Sequence, residues 1–142
     1  MKLVSVYRNP ASASSVLYQL LEERPVENRI SHKKMPTHTE HIAFIMGEPF
    51  RYWFLIQEGS HTVGAMEITH LNEIGIAILK KYQNMGYAKR ALKMFLESYD
   101  PLPPIAAKRN ARWLANIAVG NEDSKRFFMK MGFKALQETW IL

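Results

Sequence analysis

Residues 83–88 read Gln83-Asn84-Met85-Gly86-Tyr87-Ala88. They stand between an apolar run, Ile74 to Leu79, and a lysine-rich stretch whose apolar residues recur at helical spacing. A glycine at such a junction turns the chain, and it also lets the backbone approach a ligand closely. The first N–H groups of the following helix have no partner inside it, and the helix dipole adds partial positive charge there. Ala88 keeps the surface open. Lys80, Lys81, Lys89, Arg90 and Lys93 surround the junction, with no acidic residue between positions 80 and 93. The segment therefore reads either as a plain strand–helix connection or as a seat for a diphosphate. It lacks the second glycine and Lys-Ser/Thr pair of a P-loop, and it lacks the three small residues of the dinucleotide fingerprint.

The surrounding chain narrows these choices. Its 142 residues suit a single domain over 1–142, and 47% hydrophobic content allows a sizeable core. Arg8 and Pro10 interrupt the first apolar run too early for a signal peptide, and no apolar run approaches the length that spans a bilayer. There is no cysteine, which excludes disulfides, thiolate metal sites and a cysteine nucleophile. These features predict a soluble cytoplasmic protein. Residues 1–70 hold seven basic and seven acidic residues, and residues 71–142 hold twelve and six. The whole net charge of +6 thus lies in the half that contains residues 83–88. That asymmetry fits an anionic partner or, more blandly, a solvated basic face.

Periodicity predicts strands over Lys2–Tyr7, Tyr52–Gln57, Thr62–Thr69, Glu73–Leu79 and Trp113–Val119, with one or two more within Phe133–Leu142. Glu58-Gly59-Ser60 is a hairpin signal. Ser12 or Ser14 is the expected cap of a first helix, which Pro25 stops. Thr37-His38-Thr39-Glu40 is a capping box for a second helix, which Gly47 and Pro49 end. A third helix begins at Gly86 with Ala88, Ala91, Leu92, Phe95 and Tyr99 on one face, and Asn121 caps a fourth. The order is β-α-α-β-β-β-α-β-α-β, a mixed α/β sheet flanked by helices.

A second segment bears on the first. Residues 116–133 read NIAVGNEDSKRFFMKMGF. Taken alone, this is a well-capped amphipathic helix with Phe127, Phe128 and Met131 facing a core. Taken together, the two segments resemble the GNAT N-acetyltransferase superfamily. QNMGYA is similar to that family's Gln/Arg-x-x-Gly-x-Gly/Ala acetyl-CoA loop. NEDSKRFFMKMGF is similar to its later Asn-x-x-(Ala/Ser)…Lys-x-Gly-Phe segment. The element order is also similar, and within the superfamily the chain looks nearest to ribosomal-protein and amino-sugar N-acetyltransferases.

The resemblance implies a mostly antiparallel sheet of six to seven strands with about four helices. It implies that the backbone of Ile76, Ala77 and Ile78 runs along the pantetheine arm of acetyl-CoA. Gln83 and Asn84 would shape the loop, and the N–H groups of Met85, Gly86, Tyr87, Ala88 and Lys89 would hold the diphosphate. Asn121, Ser124 and Phe127 would lie near the pantetheine or adenine. The implied reaction is direct acetyl transfer from acetyl-CoA, as co-substrate, to the primary amine of a small molecule such as an amino sugar. A protein N-terminus is the alternative acceptor, and a non-catalytic acyl-CoA-binding module is the alternative role. Many family members carry a tyrosine where this chain has Phe128, so that source of a proton for the thiolate is missing.

Glu73, at the start of the central strand, is the expected general base. It reads equally as a strand-end carboxylate in solvent or paired with a lysine. His70 is the runner-up. His32, His38 and His41 do not have metal-site spacing, so no metal is expected. The basic residues are not interleaved with aromatics as nucleic-acid stacking requires, so neither nucleic acid nor membrane is an expected partner. Homodimerisation is left open. The connection Glu27–Thr39, with Arg29, His32, Lys33 and Lys34, and the stretch Gln137–Trp140 are the expected walls of the acceptor pocket.

Overall fold

A computed structural model describes residues 1–30 and 34–142. The expected positions His32 and Lys33 lie outside the described residues. Four strands, β1 (Lys2–Ser5), β2 (Tyr52–Glu58), β3 (His61–Ile68) and β4 (Ile74–Ile78), form one antiparallel sheet in the order β1-β2-β3-β4. The helices are α1 (Pro10–Glu23), α2 (His38–Met46), α3 (Tyr87–Ser98) and α4 (Glu122–Lys130).

The sheet separates two apolar clusters. On one face Trp53, Leu55 and Ala65 pack with Ala13, Leu17 and Leu20 of α1 and Ile45 of α2. On the other face Phe54, Ile56, Met66, Ile68 and Ile74 pack with Ala91, Leu92 and Phe95 of α3 and Phe128 of α4. The alternation of side chains along each strand sorts them this way. One register shift between Ile56 and Gln57 sets the strand ends near the hairpin.

The helix caps follow local chemistry. The Asn9 carboxamide accepts the Ser12 N–H at 3.2 Å, so α1 is capped at Asn9, earlier than Ser12 or Ser14. Pro10 explains the shift: at the first helical position its missing N–H is no loss. The capping box at Thr37 and Glu40 forms as expected, with both reciprocal bonds present.

The sheet is smaller than six to seven strands. Trp113–Val119 makes a single parallel bridge, Leu114 to Glu73, and then diverges from β4. The Asn116 side chain reaches the Glu73 carboxylate at 2.8 Å, and no further ladder forms among the described residues. Phe133 packs its ring on Phe128, but Leu136, Trp140, Ile141 and Leu142 beyond it are exposed and find no strand to pair with among the described residues.

Candidate active site

The open edge of β4 is the central feature. The Leu79 N–H bonds Val63 on β3, and the Ile74 N–H points the opposite way to the Leu114 carbonyl at 2.8 Å. Alternation along an antiparallel ladder therefore sends the N–H and carbonyl groups of Ile76 and Ile78 toward the diverging segment. Those of Ala77 face β3. Past the Leu114 bridge, the Ile76 N–H is the first backbone donor on this edge with no strand opposite it among the described residues. The edge leads directly into the loop before α3.

That loop owes its shape to backbone conformation. The Gln83 carboxamide N–H donates to the Ile78 carbonyl at 3.0 Å, folding the loop back on the strand it leaves. Asn84 and Gly86 take positive φ, +62° and +80°. Gly86 is the N-cap of α3 with no side-chain cap. Among the described residues, the N–H groups of Met85, Gly86, Tyr87, Ala88 and Lys89 meet no acceptor. The first helical bond of this end is Arg90 N–H to the Gly86 carbonyl. Gln83 through Gly86 and Lys89 are not buried, and a Cβ at Gly86 would meet nothing within 4 Å. The expected loop residues thus share one accessible, donor-rich turn.

The surrounding charges are not all available. Arg90 pairs with Glu58 at 3.1 Å, and Lys93 with Glu97 at 3.8 Å. Lys80, Lys81 and Lys89 carry no ion pair among the described residues, although Lys81 lies over the Tyr82 ring at 4.9 Å. Three cations therefore remain beside the turn.

Asn121 caps α4, its side chain accepting the Ser124 N–H at 3.1 Å. Phe128 is buried against Phe127 and Phe133, each with ring centroids 5.0 Å away. Phe127 is half-buried beside it. These contacts are what the plain reading of the second segment anticipates, and they leave Asn121 with a structural task in any case.

Both Glu73 oxygens are engaged: Oε2 accepts the Thr69 hydroxyl at 3.0 Å, and Oε1 accepts the Asn116 amide. No lysine pairs with it among the described residues. His70 is exposed in the turn between β3 and β4, its carbonyl accepting from Arg109.

Two features lay beyond sequence reasoning. Asn72, fully buried at φ +64°, donates to the Leu102 and Asn110 carbonyls at 3.0 and 2.9 Å and accepts the Leu102 N–H at 2.7 Å. Its own carbonyl accepts the Leu114 N–H at 2.9 Å. One residue thus ties the exit of α3, the basic loop and the diverging segment to the start of β4. The second feature is Glu67. It pairs with Trp53 on β2 and Gly75 on β4, on the face covered by α1 and α2. Burial pushes its carboxyl above the usual range, and the Arg24 charge at the end of α1 only partly offsets this.

Known proteins share this architecture. The family described as acetyltransferase (GNAT) domain matches residues 9–134. The chain belongs to the GNAT acetyltransferase family. It is therefore an acyltransferase, and the family generally uses acetyl-CoA as its co-substrate. An acetyltransferase from Thermus thermophilus has a similar fold, with a TM-score of 0.71 at 19% identity over 96% of this chain and 88% of that one. So does smu.2055 from Streptococcus mutans, with a TM-score of 0.66 at 15% identity over 94% and 84%. A GNAT family acetyltransferase from Streptococcus pneumoniae gives 0.50 at 16% identity over 75% and 80%. Among curated proteins none matches. In this GNAT domain no helix among the described residues is long and apolar enough to cross a membrane. The described residues also include no group of three or more His, Asp and Glu residues that would hold a metal ion.

Proposed function

We propose that this GNAT domain is a cytoplasmic acetyl-CoA-dependent N-acetyltransferase acting on the primary amine of a small molecule. The observation that carries the reading is the open path formed by the Ile76 backbone and the Ile78 N–H on the β4 edge and by the N–H groups of Met85–Lys89, unpartnered among the described residues. The strand edge offers donors and acceptors suited to the amides of a pantetheine arm. The turn offers backbone donors, a helix N-terminus and three lysines outside any ion pair, all suited to a diphosphate. An anionic amino sugar, such as a nucleotide-linked one, fits as acceptor because Arg29 and Lys34 make the connection before α2 basic.

In this reading the amine reaches the thioester as a neutral nucleophile, so a base on the face opposite α3 takes its proton. The sequence pattern offers Glu73 for this role, although both its oxygens already accept hydrogen bonds from Thr69 and Asn116. The Ile76 N–H is the first free donor for the oxygen on which negative charge develops. No tyrosine stands at Phe128 to protonate the departing sulfur, so that proton comes from the amine nitrogen itself or from water.

Saturating acetyl-CoA should raise the melting temperature of the wild-type protein, and Gly86→Glu should abolish that rise. An unchanged rise in the variant would place the co-substrate elsewhere, and no rise in the wild type would remove the reading. Free CoA should then appear with members of an amine panel; release with peptides only would move the acceptor to a protein N-terminus.

A further inference from the structure

Glu67 sits where β4 begins to lose its neighbour. Ile74 makes the last backbone bond to Leu114, and Gly75, directly opposite Glu67, is the next residue along. The Glu67 carboxylate lies over Gly75: a Cβ built there would stand 2.2 Å from Oε1 and 2.7 Å from Cδ. Glycine at 75 is therefore what gives the carboxylate its place. The opposite face of the sheet is filled by Ile74, Ile76 and Ile78 packed toward α3. On the Glu67 face α1 and α2 cover the sheet only in part, leaving Glu67 and Gly75 half-exposed, so a second molecule can reach the wedge-shaped gap between β4 and the diverging segment from that side.

The surroundings of Glu67 are unusual for a structural carboxylate. No other residue among those described donates a hydrogen bond to it, and it makes no ion pair with them. Beside it, Trp53 is buried at 7% exposure, and its indole N–H has no partner among the described residues. Two polar groups without protein partners are costly together unless something else satisfies them. Glu73, on the same face, already has both oxygens occupied by Thr69 and Asn116. Through Asn116 it anchors the diverging segment.

We propose that Glu67 takes the proton from the acceptor amine, directly or through one water, with Glu73 acting as a positioning residue for the wedge. The inference rests on the acetyltransferase reading above. One proton passes from the ammonium to the Glu67 carboxylate and from there to water. The freed nitrogen lone pair forms the C–N bond at the acetyl carbonyl. As the C–S bond breaks, a second proton leaves the nitrogen and ends on the CoA sulfur. The charged group that faces Glu67 is Arg24 from the end of α1, and Trp53 of β2 and Gly75 of β4 flank it in the sheet. Arg24 lowers and burial raises its proton affinity, and burial prevails. A base with proton affinity above the usual carboxylate range is better matched to an amine at neutral pH.

The test compares Glu67→Gln, Glu73→Gln and Gly75→Ala in steady-state CoA release across pH, with acetyl-CoA binding measured separately. Glu67→Gln should lower kcat/KM by about 100-fold or more and erase the acidic limb of the pH profile, with acetyl-CoA binding retained. Gly75→Ala, whose methyl displaces the carboxylate end, should also lose rate while keeping the fold and acetyl-CoA binding. Glu73→Gln should keep the acidic limb. In the ligand-free protein, the stability gained by Glu67→Gln over wild type should grow as pH rises through the carboxylate range. The wild type must ionise a partly desolvated carboxyl there, and the variant does not. A Glu67→Gln enzyme with near wild-type rate and an intact acidic limb would overturn the inference. If wild type itself fails to bind acetyl-CoA, it is the parent reading that falls.

Discussion

The two sides of the wedge are built in opposite ways. On the side proposed for the co-substrate, residues 83–89 present backbone: donors in a turn set by positive φ at Asn84 and Gly86, with side chains mostly exposed to solvent. On the side proposed for the acceptor, residues drawn from three strands present side chains: Trp53, Glu67 and the space above Gly75. The glycines make the contrast concrete. Gly86 is required by its backbone conformation and has empty space where a Cβ would go. Gly75 has no positive φ and is required because a carboxylate occupies that space. A common co-substrate can be held by a reusable backbone device, whereas a particular amine needs its own arrangement of side chains.

Asn72 is where that contrast breaks first. It belongs to neither side, yet it fixes the point at which the two part. Asn72→Ala would remove three hydrogen bonds of a fully buried side chain, to the Leu102 N–H and the Leu102 and Asn110 carbonyls, at a cost of about 3 kcal/mol. Chemical denaturation should show a loss of that size, with both co-substrate binding and turnover falling together. A variant of near wild-type stability would mean that the divergence is held by the Leu114 bridge alone.

Gly86→Ala sharpens the contrast at a smaller scale. The positive φ costs an alanine about 1 kcal/mol, and there is no clash with the protein itself. Stability should therefore fall slightly. The affinity for acetyl-CoA should fall by more than that strain predicts, because the methyl projects into the space proposed for the diphosphate. Equal affinity in isothermal titration would count against a close backbone approach at this turn.

These two sides were unequally legible in the sequence. The turn at 83–89 depends on neighbours in the chain: an apolar strand, a glycine, then helical periodicity. The hairpin at Glu58–Ser60, the capping box at Thr37 and the helix face of Ala91, Leu92 and Phe95 were readable for the same reason. Glu67 and Asn72 depend on register. Glu67 reads as one polar residue in an alternating strand, and only its pairing with Gly75 on β4 reveals the space it occupies. Asn72 reads as an ordinary turn residue until the chain returns with Leu102, Asn110 and Leu114. The strands expected over 113–119 and 133–142 failed on the same ground. Local β patterning cannot show that Leu114 is followed by divergence, or that Trp140 and Ile141 find no partner strand among the described residues.

Asn121 offers the finest test, because both readings of its segment give it work. As the cap of α4, its carboxamide holds the Ser124 N–H, so Asn121→Ala should cost about 1 kcal/mol. Asn121→Asp should restore most of that, since a carboxylate caps as well and suits the helix dipole. If capping is its whole task, acetyl-CoA affinity in Asn121→Asp should match wild type once stability is restored. If the side chain also donates an N–H to the pantetheine arm, the aspartate restores the melting temperature and leaves the affinity low, because it has no N–H to give. The aspartate variant separates the two roles because it changes only the donor, at a position where the acceptor is already committed to the helix.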